Sequence, residues 1–256
     1  MKKGAKRGYF RDFLGVLKDS VMSLRTNIFV MALHDLLFYT CSFYLIVFWN
    51  YLARLLSANV QLNPGSFDPT NPTMVNGAVS SMQNFMIFLG VSLLILAVII
   101  VFVYTFFKGM IWLNMLKRKP EYRFFKRFAL LNCIWFFSVF LIILVLAIVL
   151  RVEFAAYVLV IAAALALHFG INITAQYAKT CEIKESFYQG LKKGLRLHLF
   201  ILPYIIVLSG YALVLQIGRI FTPLGQAVNF TVFATLTLLY FAWTRIYIFK
   251  LVQSIK

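Results

Sequence analysis

Acidic side chains are scarce in this chain. Eight Asp and Glu stand against 25 Lys and Arg in 256 residues, and charged residues of both signs make up only 13%. A soluble domain carries about 25% charged residues, so this composition cannot cover a water-facing surface. The few acids form no constellation with the three His. No phosphate-binding GxxxxGK[ST] loop, GxSxG elbow or HExxH pair is present. The enzyme classes built on those motifs are excluded, nothing calls for a cofactor or a metal, and the chain reads as a non-enzyme. The one enzymatic alternative is an intramembrane enzyme built on His34, Asp35 and His168.

Cysteine is equally sparse. Cys41, Cys133 and Cys181 show neither CxxC nor metal-ligand spacing and read as free thiols. No small-residue cleavage site accompanies the first apolar run, which contains His34 and Asp35, so it reads as a retained anchor rather than a signal peptide. Period-two alternation in segments of about ten residues, the mark of a membrane barrel, is missing.

What the chain has in abundance is apolar length, with 62% hydrophobic residues. Six runs stand out, at about 28–50, 85–107, 128–150, 154–176, 197–217 and 228–249. Each is long enough to cross about 30 Å of hydrocarbon as helix. The fold class that follows is all-α, a polytopic bundle of six transmembrane helices forming a single integral membrane domain over 1–256.

The cations are laid over these runs unevenly. Twenty-two of the 25 fall in the N-terminal stretch, the connection between spans two and three, the connection between spans four and five, and the C-terminal end. The three segments between hold one each, Arg54, Arg151 and Arg219. An even number of spans puts both termini on one side, and the Lys/Arg bias makes that side the cytoplasmic face of a cell membrane. In a soluble chain the net charge of +17 would suggest nucleic acid. Beside apolar runs it points instead to anionic lipid headgroups, with no nucleic acid. Outside, one sizeable loop is expected over about 57–83, rich in turn formers such as Asn63-Pro64-Gly65 and Asn71-Pro72. No soluble domain is expected on either face.

Each odd-numbered span is preceded by a basic stretch of helical period. Phe13, Leu14, Leu17, Val21 and Leu24 recur at helical spacing among Arg11, Lys18 and Arg25. Phe124, Phe128 and Leu131 alternate with Arg123, Lys126 and Arg127, and Phe187, Leu191 and Leu195 oppose Lys184, Lys192, Lys193 and Arg196. Such stretches fit helices lying in the headgroup plane, cations toward the phosphates. They equally fit cytoplasmic extensions of the spans. Gly190 and Gly194 argue against a rigid continuous helix in the third. The candidate headgroup contacts are Arg11, Lys18, Arg25, Arg123, Lys126, Arg127, Lys192, Lys193 and Arg196. The expected organisation is three parallel repeats of basic helix, span out and span back, at about 8–118, 119–179 and 180–256.

Asp35 is the most costly residue in the spans, at roughly 2–4 kcal/mol near mid-membrane. At 1.5 Å per residue it lies about 10 Å into its helix, and Lys108, Asn172 and Arg245 fall near the same depth. With His168, one turn from Asn172, they form a candidate intramembrane polar layer in which Asp35 pairs with Lys108 or Arg245. The alternative is that both cations snorkel to the headgroups and Asp35 is hydrated near the surface. Ala162, Ala166 and Gly170 offer a small-residue face for close helix contact. Pro203 and Ser209-Gly210 mark the fifth span as the one to kink.

Two functional readings follow. The first is a transport-type or permease-like subunit whose path runs through the polar layer, with an ATPase as an implied partner. The second is a membrane-organising or assembly protein acting through its basic helices on anionic lipids or a partner membrane protein. The recurring unit also resembles known sequences. A basic amphipathic helix, then Leu-Arg-x-Asn/His-apolar-Phe, then a span is best seen at Leu24-Arg25-Thr26-Asn27-Ile28-Phe29 and Leu195-Arg196-Leu197-His198-Leu199-Phe200. This pattern resembles a loose group of prokaryotic six-span membrane proteins that includes the membrane domain attached to some glycerophosphodiester phosphodiesterases. The resemblance implies an architecture over most of the chain. With no catalytic domain here, it carries over no activity and no site residue.

Overall fold

The computed structural model describes residues 4–22, 24–57, 71–150 and 152–255, with side chains for 13–22, 28–57, 71–150, 154, 156–223 and 225–255. Among these residues there are no strands. The α-helices are α1 Gly4–Met22, α2 Leu24–Ser57, α3 Pro72–Met115, α4 Tyr122–Val149, α5 Val152–Thr180, α6 Ile183–Gly194, α7 Ile201–Ile220 and α8 Gln226–Ser254. Six of them, α2 to α5 with α7 and α8, are long and apolar enough to cross a membrane. The architecture is an all-α, six-span bundle.

Helix boundaries follow local chemistry. Asn71 caps α3, its Oδ1 accepting the Thr73 backbone N–H at 3.1 Å and the Thr73 hydroxyl at 2.6 Å. Pro72 then occupies the first helical position, where it has no hydrogen bond to lose. The loop expected as far as residue 83 therefore gives way to helix at Pro72. Residues 58–70 of that loop lie outside the described residues. At its other end α3 closes with Lys117 in the left-handed region (φ 53°) and the Arg118 N–H on the Leu113 carbonyl at 2.9 Å, a Schellman arrangement. Cys181 (φ 57°) ends α5 similarly, its N–H on the Tyr177 carbonyl at 2.8 Å.

The three basic stretches fold differently from one another. In the first, α1 ends at Met22 and α2 begins at Leu24, with Ser23 outside the described residues. The second is no separate interfacial helix, because α4 runs from Tyr122 into its span without a break. No Gly or Pro occurs between 121 and 149 to interrupt it. The third is a helix of its own: α6 continues through Gly190, stops at Gly194, and is joined to α7 by a single 3-10 turn at Leu197–Leu199. Helix α7 is continuous, since Pro203 sits in its first turn, where a missing N–H breaks no intrahelical bond.

The chain forms two compact units, Leu37–Tyr104 and Met1–Leu36 with Thr105–Lys256. Within Leu37–Tyr104, Trp49 Nε1 donates to Ser92 Oγ at 3.0 Å and the Phe38 and Tyr104 rings meet edge to face at 5.7 Å. Most of its large apolar side chains are exposed, as contact with lipid requires.

The larger unit buries its core at one end of its spans: the start of α4 and α7 and the end of α3, α5 and α8, with α1 packed on α8. Helix α5 is central there, with α4, α6 and α8 against it. Phe128 stacks on Tyr177 at 5.4 Å, and the Tyr177 hydroxyl donates to the Phe124 carbonyl at 2.9 Å. Helix α6 lies along α5 through Ser186, Gly190 and Gly194, four residues apart and all buried. A Cβ on Gly190 would stand 2.7 Å from Ile173 Cα, and one on Gly194 would stand 2.6 Å from the Phe169 ring. The two glycines that argued against a continuous helix thus let two backbones approach. On α5, Gly170 lies under the Trp135 indole, while Ala162 and Ala166 line an apolar groove of about 380 Å³ beside α4.

Candidate functional site

Three helices of the larger unit bring ionised groups to one point. Asp35 of α2 is fully buried, Lys108 of α3 is buried, and the Arg245 side chain of α8 is 19% exposed. Arg245 Nη1 donates to Asp35 Oδ2 at 2.8 Å and Nη2 donates to Oδ1 at 3.1 Å. Lys108 Nζ donates to Oδ1 as well. On the same three helices Met31, Ala32, Ile111, Ala242 and Ile246 form an apolar cluster of their own. The planar guanidinium fork fits a carboxylate with two parallel bonds, which a lysine cannot do. Both cations therefore aim at the carboxylate, and Asp35 pairs with the two together rather than with one of them.

His168 and Asn172 make their hydrogen bonds elsewhere. His168 Nε2 lies 2.9 Å from the Gly194 carbonyl and Nδ1 lies 2.5 Å from the Tyr204 hydroxyl. A carbonyl can only accept, so Nε2 donates to it, while Nδ1 shares a hydrogen bond with the Tyr204 hydroxyl. This histidine closes the last carbonyl of α6 and ties α5, α6 and α7 together. Asn172 Nδ2 donates back to the His168 carbonyl at 2.8 Å, and its buried Oδ1 has no partner among the described residues. Three polar residues escaped the sequence reading. Asn132 Nδ2 donates to Thr105 Oγ1 at 3.0 Å, both buried, joining α4 to α3, and Tyr204 completes the histidine cluster. The available signal was spacing: Thr105 lies three residues before Lys108, so it shares a helix face with it.

Several cations are consumed by helix ends. The last four carbonyls of a helix lack intrahelical partners and carry partial negative charge. Lys250 Nζ donates to the Asp19 carbonyl in the last turn of α1 at 2.7 Å, and Lys193 Nζ donates to the Val252 carbonyl in the last turn of α8 at 2.9 Å. Arg127 Nη1 donates to the Cys181 carbonyl, just past α5, at 3.2 Å. Of the candidate headgroup contacts, Arg127 and Lys193 are therefore turned to protein carbonyls. Lys18, Arg123, Lys126, Lys192 and Arg196 are exposed, and the Lys192 ammonium stands 5.7 Å above the Tyr188 ring. The side chains of Arg11 and Arg25 lie outside the described residues. Partial burial, and then the nearby charges of Lys179 and Arg196, hold the Lys193 pKa below its ordinary 10.5.

No family model, no curated protein and no solved structure matches the chain. It is a multi-pass integral membrane protein. At the end of the larger unit where the core is buried, the described charges divide into two sets: those between helices, which pair with one another or cap helix ends, and those exposed on the outside.

Proposed function

We propose that this protein organises or assembles components at the membrane surface, acting through its basic end on anionic lipid headgroups. The observation that carries this reading is the division of charge. Inside the spans, Lys108 and Arg245 both bind Asp35. At the same end of the spans, Lys18, Arg123, Lys126, Lys184 and Lys192 face outward. Each cation near an anionic leaflet contributes about 1 kcal/mol, and a small group of them suffices to prefer anionic over neutral lipid. The Lys/Arg bias supports reading this end as the cytoplasmic face of a cell membrane.

Reconstitution into vesicles tests the reading. Protein in bilayers with phosphatidylglycerol should retain that lipid through purification, lose it as salt is raised, and show no solute or ion flux. A saturable flux with no lipid preference would sink it and favour a permease-like subunit, for which the buried ion cluster is the supporting observation.

A further inference from the structure

We infer that the groove between α4 and α5 is a binding site for one acyl chain of a membrane phospholipid. The inference concerns a chain and not a headgroup, so it does not rest on the functional reading above.

The groove exists because α5 presents small residues where it faces α4. Ala162 and Ala166, one turn apart, leave about 380 Å³ between the helices, bounded along α4 from Trp135 to Leu146 and along α5 from Val158 to Phe169. At 1.5 Å per residue both walls are about 16 Å long. Volume over length gives the groove a section of about 24 Å². A helix is about 10 Å across and would need more than three times that section. Packed carbons stand about 4 Å apart, so an extended hydrocarbon chain has a section of roughly 20 Å² and fits once. The length agrees too, since one leaflet of a hydrocarbon core about 30 Å thick is about 15 Å deep.

The lining excludes polar occupants. None of its side chains is charged, and the only polar side-chain atom among them is the indole nitrogen of Trp135. A peptide or polar solute would leave its own polar groups without partners there, at about 1–3 kcal/mol each. The two ends of the groove differ. Trp135 and Phe169 close one of them: the indole lies over Gly170 and 6.3 Å from the Phe187 ring of α6, and Phe169 lies against Gly194. At the other end Leu146 and Val158 stand within two helical turns of the connection between α4 and α5. A chain therefore enters from the leaflet on that side and stops at the two rings. Left empty, the walls forfeit their dispersion contacts. Lipid tails are as apolar as the lining, so shape selects the occupant.

The test uses the full chain in detergent, stripped of lipid, titrated with phosphatidylcholine and read by native mass spectrometry. This lipid has no net charge, so failure here leaves the functional reading untouched. The groove-filling variant is Ala162→Leu with Ala166→Leu. Its control, Ala163→Leu with Ala164→Leu, adds the same carbons at exposed positions that do not line the groove. Wild type should bind one molecule with sixteen-carbon chains about tenfold more tightly than any further copies. Filling should weaken that binding by about tenfold or more, and the control by about twofold or less. Shortening the chains to six carbons at the same headgroup should also weaken it by about tenfold or more. Equal effects of the two double variants, or binding indifferent to chain length, overturn the site. Palmitate binding as tightly as the phospholipid overturns the phospholipid as occupant. A wild-type dimer that filling converts to monomer makes the groove a seat for a second copy and overturns the lipid. If the double variant does not fold, single Ala162→Leu and Ala166→Leu variants must each weaken phosphatidylcholine binding, and failure to do so overturns the site.

Discussion

Arg245 holds the Asp35 carboxylate with both arms of its guanidinium, at 2.8 and 3.1 Å, across 210 positions of sequence. Lys108 approaches the same carboxylate from α3. The contact clasps the last span to the first. A buried carboxylate with a bidentate partner and a second cation has little freedom to release either one, which is the behaviour of a structural clasp.

Removing the carboxylate leaves two buried cations facing each other. Asp35→Asn should lower stability by about 3–5 kcal/mol, the range for breaking a buried pair from one side. Combining Asp35→Asn with Lys108→Met should recover part of that loss, because one uncompensated charge is gone. Thermal unfolding in detergent measures both. A melting point for Asp35→Asn within error of wild type would show that the cluster is hydrated and that the clasp is not holding the helices.

The seat of α6 on α5 makes a second prediction, with its own control. Gly190→Ala pushes a methyl to 2.7 Å from the Ile173 backbone, which cannot move aside as a side-chain tip would. It should destabilise by about 1–3 kcal/mol and expose the Lys192-Lys193 bond to trypsin. Gly77 and Gly90 in α3 have nothing within 4 Å of an added Cβ. There alanine should stabilise by roughly 0.5–1 kcal/mol through helix propensity. If Gly190→Ala behaves like Gly90→Ala, the two helices are not in backbone contact.

The spans were legible because apolar length is a one-dimensional property, and hydropathy reads it directly. Asp35, Lys108 and Arg245 were legible as exceptions, because a charge inside an apolar run needs a partner wherever it lies. Depth along a helix says nothing about which face a residue occupies, so depth alone also grouped His168 and Asn172 with Asp35, although they bond to Gly194, Tyr204 and their own helix. The start of α3 was hidden by the polarity of Thr73, Asn76, Ser80, Ser81 and Gln83, which hydropathy reads as loop while Asn71-Pro72 makes it a capped helix. Gly190 and Gly194 were legible as a mark against one continuous helix, and α6 does stop at Gly194, a 3-10 turn short of α7. Propensity alone does not tell that Ser186, Gly190 and Gly194 also mark the side where another backbone comes close.

The left-handed residue that closes α3 gives a third prediction. Lys117 has φ 53°, which places its Cβ against the following carbonyl. Lys117→Gly removes that clash and keeps the Schellman bonds, so it should raise stability by about 1 kcal/mol, visible as a higher melting temperature. A lower melting temperature would mean that the Lys117 side chain contributes more than its backbone strain costs.

Lys193 gives the last prediction, in alkaline solution. Its ammonium is partly buried and feels the charges of Lys179 and Arg196, so its pKa in the folded chain lies below the 10.5 expected when unfolded. Between those two values the unfolded chain holds more protons than the folded chain, and stability rises with pH. Below the folded pKa both states are charged, so the penalty is present in full and does not change with pH. Wild type should therefore show a positive contribution to stability as pH climbs toward 10.5, and Lys193→Met should lack it. Other lysines and tyrosines titrate in the same range, so the informative quantity is the difference between the two proteins at each pH. Lys179→Gln, which removes one repelling charge and leaves the Val252 bond in place, should shift the onset of the rise to higher pH. Parallel stability curves for wild type and Lys193→Met would show that the Lys193 ammonium is solvated and feels no repulsion from Lys179 or Arg196.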